Sequence, residues 1–362
     1  MSGTSLDGVD GVLCDFSGQD RPRVLAFASA PLPPALKAEL FALNTAGANE
    51  LHRAALAGNA LSRLYAEVVE SLLASGTVSR ADVVAVGAHG QTVRHQPQGF
   101  DGTGYTLQLQ NPALLAERIG IDVVADFRSR DVAAGGHGAP LVPAFHQQWF
   151  GDSGRDVALL NLGGIANLSL LPARGGPWGF DCGPANALLD FWCLRHRGQD
   201  YDAGGAWGAT GRVNPALLQQ LLDDAFFALP PPKSTGRDLF NPAWLAARLA
   251  GFADVAPVDI QATLAALTVA SAVQALRQAA PATRTLYVCG GGALNDALMR
   301  GLADALPGVE VTSSEAAGLP PLQVEATAFA WLARRCIGRL PGNLPAATGA
   351  RGLRVLGAVY PA

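Results

Sequence analysis

Met1-Ser2-Gly3-Thr4-Ser5-Leu6-Asp7-Gly8-Val9-Asp10 opens the chain, and the strand-like run Gly11-Val12-Leu13-Cys14-Asp15-Phe16 follows at once. The opening segment packs glycines, hydroxyls and two carboxylates into one turn. Such a turn offers backbone N–H groups and short side chains to a phosphate, and its carboxylates can hold magnesium directly or through water. Alone it reads equally well as an ordinary hairpin loop. Related turns recur later. Val157-Ala158-Leu159-Leu160-Asn161-Leu162-Gly163-Gly164-Ile165-Ala166-Asn167-Leu168-Ser169-Leu170-Leu171 runs an apolar strand into a Gly-Gly turn flanked by asparagines and out into a second strand. Leu286-Tyr287-Val288-Cys289-Gly290-Gly291-Gly292-Ala293-Leu294-Asn295 ends a buried-type strand in three glycines before a helix start. Glycine is needed where backbone comes close to a ligand or takes positive φ. The set suggests two lobes gripping one nucleotide. It matches neither a P-loop nor a G-x-G-x-x-G fingerprint.

The composition agrees. At 362 residues the chain is long enough for two lobes, and with 49% hydrophobic and 15% charged residues it can bury a large core. A net charge of −4 argues against a nucleic-acid partner, which needs a basic face. No secretory signal opens the chain, and no uninterrupted apolar run reaches the roughly 18 residues of a membrane span. The cysteines Cys14, Cys182, Cys193, Cys289 and Cys336 are scattered, with no C-x-x-C pair. They read as reduced thiols in a cytoplasmic protein, without a zinc site or disulfide framework.

Helical stripes at Leu36, Leu40 and Leu43, and at Leu61, Leu64, Val68 and Leu72, alternate with strands. Ser79-Arg80-Ala81-Asp82 resembles a capping box, but Val83–Val86 after it is short and β-branched enough for a buried strand. Tyr105–Gln110 alternates as a strand, Asn111-Pro112 opens a helix that Gly120 closes, and Ile121–Ala125 is another strand. The polar turns Gly135–Pro140 and Gly151–Gly154 bracket the expected crossing between lobes, giving 1–150 and 151–362. The last roughly 20 residues are expected to pack back on the first lobe. In the second half, helices are expected after Gly183-Pro184, after Asn214-Pro215, through Ile260, Leu264 and Leu267, after Asn295, and from about Glu325 to Arg334.

Several polar residues stand at strand ends. Asp181 lies between Gly179-Phe180 and Cys182-Gly183-Pro184 and reads either as an N-cap or as a general base. His89-Gly90-Gln91-Thr92-Val93-Arg94-His95 groups hydrogen-bonding side chains suited to a sugar, and its histidine spacing fits no helical metal site. Asp126-Phe127-Arg128-Ser129-Arg130-Asp131 is a solvated loop or a cleft edge, and Lys233-Ser234-Thr235-Gly236-Arg237 a binding loop or an exposed turn. Glu325 fits a first-turn carboxylate favoured by its helix dipole.

Together, the opening decapeptide, Gly87–His95, Ala125–Arg128, Asn161–Asn167, Gly179–Pro184, Pro232–Arg237, Val288–Gly292 and Leu340-Pro341-Gly342-Asn343 closely resemble the anhydro-N-acetylmuramic acid kinase family. The resemblance spans essentially the whole chain. It implies an α/β, two-lobed actin-like ATPase (ribonuclease H-like) fold with an inter-lobe nucleotide and sugar cleft. It also implies ATP with magnesium, a role in peptidoglycan recycling, and a cytoplasmic homodimer without nucleic-acid or membrane partners. The family converts 1,6-anhydro-N-acetylmuramic acid, ATP and water to N-acetylmuramic acid 6-phosphate and ADP. By the same resemblance, Asp181 is the base. Gly3, Thr4, Ser5, Asp7, Asp10, Asn161, Gly163, Gly164, Asn167, Lys233, Gly290, Gly291 and Gly292 would bind ATP. Asp7 and Asp10 would hold magnesium, directly or through water. His89, Gln91, Gln108, Asp126, Arg130 and Glu325 would recognise the sugar.

Two departures stand out. Ala185 replaces the glycine more usual in the family, and a strand ahead of the Met-Ser-Gly-Thr-Ser motif is absent here. The expectation is therefore an upstream start in the native protein, and a gap in the first sheet of the chain as written. The rival readings are another actin-like sugar or acyl kinase, or a non-catalytic sugar sensor. The second lacks the basic helical module such sensors carry.

Overall fold

Apolar runs and well-placed caps set the order of elements in the computed structural model, which describes residues 1–362 except Thr4, Ser5, Gln19, Asp20, Arg21, Gln98, Pro232 and Asp238. The first part holds β1 (Gly8–Asp15), β2 (Arg23–Pro31), α1 (Pro34–Ala42), α2 (Glu50–Ala74), β3 (Val86–Gly87), β4 (Gln91–Gln96), β5 (Tyr105–Leu109), α3 (Pro112–Ile119), β6 (Val123–Ala125), α4 (Ser129–Ala133) and α5 (Pro143–Phe150). Next come β7 (Val157–Leu162), β8 (Ile165–Leu171), β9 (Trp178–Pro184), α6 (Asn186–Arg197), α7 (Pro215–Leu222), α8 (Ala225–Ala228), α9 (Pro242–Arg248) and α10 (Pro257–Ala279). The chain closes with β10 (Thr285–Cys289), α11 (Asp296–Ala305), β11 (Glu310–Ser313), α12 (Val324–Ile337), α13 (Pro345–Thr348) and β12 (Ala358–Tyr360).

Two compact units result: Met1–Trp149 with Leu322–Ala362, and Phe150–Pro321. The expected division of 151–362 needs correction. Everything from Leu322 onward, not only the very end, belongs to the first unit. Pairing is the reason. β12 adds antiparallel to β6, with Ala358 opposite Ala125 and Tyr360 opposite Val123. α12 packs over β1, β3 and β6, and glycine at 87 permits the approach, since a Cβ there would stand 2.6 Å from the Phe329 carbonyl oxygen.

In the first unit, β1 and β2 form an antiparallel hairpin covered by α2, whose buried face carries Leu61, Leu64, Val68 and Leu72. The sheet is divided: β1–β2, β4–β5 and β12-β6-β3 are separate ladders. Asn111 caps α3, accepting from the Leu114 N–H at 3.0 Å, and Gly120 ends it in the left-handed conformation. The capping box at Ser79–Asp82 is present, but it opens a single 3₁₀ turn, and the strand after it is only Val86–Gly87.

In the second unit, β7 is buried at every position, the pattern of a strand covered on both faces. It lies in a five-stranded sheet ordered β9-β8-β7-β10-β11, with β7, β10 and β11 parallel and β8 antiparallel to both neighbours. This is the strand order expected of a ribonuclease H-like sheet. α10 packs against β8, β9 and α11. It is long and apolar enough to cross a membrane, but 61% of its apolar window is buried, as in a core helix.

Candidate active site

Register gathers the polar residues of the second unit. Asn161 on β7 lies opposite Asn167 on β8, and Asn167 lies opposite Asp181 on β9. Residues directly opposed in antiparallel strands share a face, with Cβ atoms about 5 Å apart. Asn161, Asn167 and Asp181 therefore form one transverse row. A bulge between Ala166 and Asn167 makes this possible. With uninterrupted pairing from Ala166 and Gly183, Asn167 would face Cys182, and Asp181 would turn toward the core with Leu168. The extra residue re-aims the carboxylate, a recurrent use of bulges beside active sites. The N-cap reading of Asp181 is excluded, because α6 starts beyond Ala185, its N-cap.

The Gly163-Gly164 turn closes the β7–β8 hairpin. Its carbonyls are bound by α6: the Asn186 N–H donates to Gly163 and those of Ala185 and Ala187 to Gly164, at 3.0–3.1 Å. Beside it, Gly290 adopts φ +77°, and a Cβ there would stand 2.4 Å from Asn161 Oδ1 and 2.8 Å from the Leu162 carbonyl oxygen. Gly291 and Gly292 continue into a 3₁₀ turn, after which Asn295 caps α11. Asn161 Oδ1 is buried and has no hydrogen-bond partner. Leaving such a group unpaired costs about 1–3 kcal/mol, so its position fits a ligand donor.

Lys233 is held by contacts within the second unit. Its ammonium donates to the carbonyls of Phe226 (3.1 Å) and Phe227 (3.4 Å) and lies 4.6 Å from the centre of the Phe226 ring. These contacts hold the ammonium against α8. Its backbone carbonyl accepts from the Asp181 N–H at 3.1 Å, and the Thr235 N–H donates to Asp181 Oδ2 at 2.9 Å. Thr235 was not singled out by sequence, and only the turn-forming composition of its motif could have pointed to it.

In the first unit, Thr4 and Ser5 lie outside the described residues. The Gly3 carbonyl accepts from the Leu6 N–H, and Asp7 Oδ1 accepts from the N–H of Gly8. Asp10 is half-buried. Burial, joined by the charge of Asp7, pushes its carboxyl up to about 6 against the opposing pull of the Met1 ammonium. Glu325, in the first turn of α12, is also raised, first by burial and further by Asp10 and Asp7, while Arg128 draws it back. Four residues along the same helix, Phe329 lies 4.5 Å from the His89 ring.

His89 is buried, and both ring nitrogens are engaged. The Arg128 Nε–H donates to Nε2 at 3.0 Å, which leaves Nδ1–H to donate to the Gly90 carbonyl at 2.7 Å. Burial and the Arg128 charge hold this imidazole well below its usual range, so it is neutral. His89 therefore braces Arg128 and the 88–90 turn. Arg128, overlooked in favour of its neighbour Arg130, also donates to the Gly138 carbonyl at 2.8 Å. Gln91 is buried with Oε1 unpartnered, whereas Gln108 Nε2 donates to Thr106 and Thr92. Asp126 and Arg130 are exposed, Asp126 with φ +56° and Oδ1 toward the Ser129 N–H.

The family profile described as anhydro-N-acetylmuramic acid kinase matches residues 1–362. The chain belongs to the anhydro-N-acetylmuramic acid kinase family. It is 62% identical to the anhydro-N-acetylmuramic acid kinase of Variovorax paradoxus (strain S110), covering 100% of this chain and 98% of that protein. It is 59% identical to that of Albidiferax ferrireducens (strain ATCC BAA-621 / DSM 15236 / T118), with the same two coverages. Among solved structures it is similar to an activator of the 2-hydroxyisocaproyl-CoA dehydratase from Clostridium difficile with bound ADPNP. That likeness has 11% identity and a TM-score of 0.42, over 88% of this chain and 90% of the other. As an anhydro-N-acetylmuramic acid kinase, the chain is a sugar phosphotransferase that uses ATP.

Proposed function

We propose that this kinase uses Asp181 as a general base on water. The carboxylate takes a proton as the water oxygen bonds to the anomeric carbon of 1,6-anhydro-N-acetylmuramic acid. The C1–O6 bond breaks, and O6 attacks the γ-phosphorus, displacing ADP and giving N-acetylmuramic acid 6-phosphate. Water attack follows the logic of an inverting glycosidase, and phosphoryl transfer needs chiefly positioning and charge neutralisation. The supporting observation is the Asn161–Asn167–Asp181 row, in which the bulge and the Thr235 N–H aim and hold the carboxylate.

Asn161, with its unpaired Oδ1, the Gly163-Gly164 turn and Gly290–Gly292 are the nucleotide contacts in this reading. Gln91, Gln108, Asp126, Arg130 and Glu325 serve the sugar, His89 acting through Arg128. Asp7 and Asp10 fit a magnesium ion that completes its shell with water and phosphate. They are hard oxygen donors, and the charge of Asp7 already opposes ionisation of Asp10, which a cation would relieve. When bound, that ion would neutralise phosphate charge. The scattered cysteines and negative net charge support a cytoplasmic enzyme, and the family a homodimer.

The test is turnover of the anhydro sugar with ATP and magnesium in ¹⁸O water. One label is expected at the C1 hydroxyl and none in the phosphate. Asp181→Asn should bind both substrates while kcat falls about 10²- to 10⁴-fold. Unlabelled product, or a wild-type rate in the variant, would refute the reading.

A further inference from the structure

The 233–235 segment is tied on both sides. Residue 233 receives the N–H of Asp181 on its carbonyl, and residue 235 gives its own N–H to the Asp181 carboxylate. β9 is the edge strand of its sheet, so this segment supplies the hydrogen bonds its outer side needs at position 181. The segment is in turn fastened by one side chain. The Lys233 ammonium lies over the Phe226 ring and binds the carbonyls of Phe226 and Phe227, both within the one-turn helix α8. Phe226 and Phe227 are buried and packed edge-on, with Phe240 in the same cluster, so the anchor point is rigid. A second observation comes from Thr235. Its Oγ1 is buried without a hydrogen-bond partner, in the residue whose N–H grips Asp181. An orphaned hydroxyl there fits a water-sized ligand.

We infer that Lys233 and Thr235 are positioning residues for the base: Lys233 pins the loop that sets the Asp181 carboxylate, and the Thr235 hydroxyl holds the water which that carboxylate deprotonates. The inference rests on the proposed role of Asp181. It assigns Lys233 a task other than binding ATP phosphates, and it explains why a cation is used there. An ammonium can satisfy two carbonyls and an aromatic face at once.

Lys233→Met keeps the stem and removes the charge, and Lys233→Arg restores a donor. With Lys233→Met, kcat should fall at least about tenfold while KM for ATP stays within about twofold. The acid limb of the kcat–pH profile should move up by about one unit, because a carboxylate that loses an N–H partner is more easily protonated. Lys233→Arg should recover part of both effects. Thr235→Val should lower kcat about tenfold, and Thr235→Ser should retain most of it.

¹³C-carboxyl NMR of the 181 side chain, assigned by its loss in Asp181→Asn, reads the same ionisation without turnover. An upward titration shift in Lys233→Met upholds the clamp even if the reaction is not the one proposed. An unchanged titration and pH profile overturns the clamp and leaves the reaction untouched. A tenfold rise in KM for ATP with kcat unchanged makes Lys233 a nucleotide ligand and likewise overturns it. If Lys233→Met fails to fold, the Thr235 pair decides: equal rates in Val and Ser variants defeat the inference.

Discussion

Single residues hold the first unit's charge balance. His89 and His146 are buried, and burial depresses both imidazoles, His146 to about 3 and His89 well below 6.5. Their protonated forms are excluded from the folded state but not from the unfolded chain. Stability therefore declines as pH drops below the unfolded value near 6.5, and for His146 the loss continues to about 3. Each ring costs about 1.4 kcal/mol per pH unit once the pH is well below 6.5. Asp10, raised to about 6, works in the opposite sense: its folded form takes up a proton between about 6 and the ordinary carboxylate range and offsets part of the loss. Denaturant unfolding from pH 7.5 to 5 should show a shallower decline for His146→Gln than for the parent. Identical slopes would remove His146 from the account.

At the scale of elements, the junction of β7, β8 and β10 explains why the turns are glycine-rich. Gly290 has a left-handed backbone and sits against Asn161 and Leu162, so Gly290→Ala brings both strain and collision. The backbone alone costs about 1–2 kcal/mol. The variant should unfold at lower denaturant and show at least about a tenfold higher KM for ATP. A parent-like KM would detach this turn from the nucleotide. Such elements were legible in the sequence, because Asn111-Pro112, Asn214-Pro215 and Asn295 are strong caps and β7 and β10 are mainly apolar. The bulge that turns Asp181 outward was not. Nothing in Phe180-Asp181-Cys182-Gly183 distinguishes a bulged strand from a plain one, since the shift depends on pairing with a distant segment. The same holds for Lys233: a cation in a polar loop gives no local sign of the Phe226 and Phe227 carbonyls that surround it. The partner of His89, Arg128, is likewise 39 positions away, beyond the reach of any local pattern.

Over the whole molecule, one buried carboxylate shows how the first unit is stitched from remote parts. Asp131 Oδ1 accepts from Asn343 Nδ2 at 2.7 Å and from the Thr348 hydroxyl at 2.8 Å, while Oδ2 accepts the Gly138 N–H at 2.8 Å. With β12 on β6, these bonds close the unit using residues made after the whole second unit. The second unit is a continuous stretch, Phe150–Pro321. On a ribosome, which emits the polypeptide from its amino end, the intervening portion can therefore mature while its predecessor waits. Nascent chains stalled near residue 355, with the 150–321 region emerged, should yield a protease-resistant fragment of that region before one of the 1–149 region, and the reverse order would contradict this. Translation speed beyond residue 321 thus becomes a determinant of how long a half-built sheet stays open to chaperones.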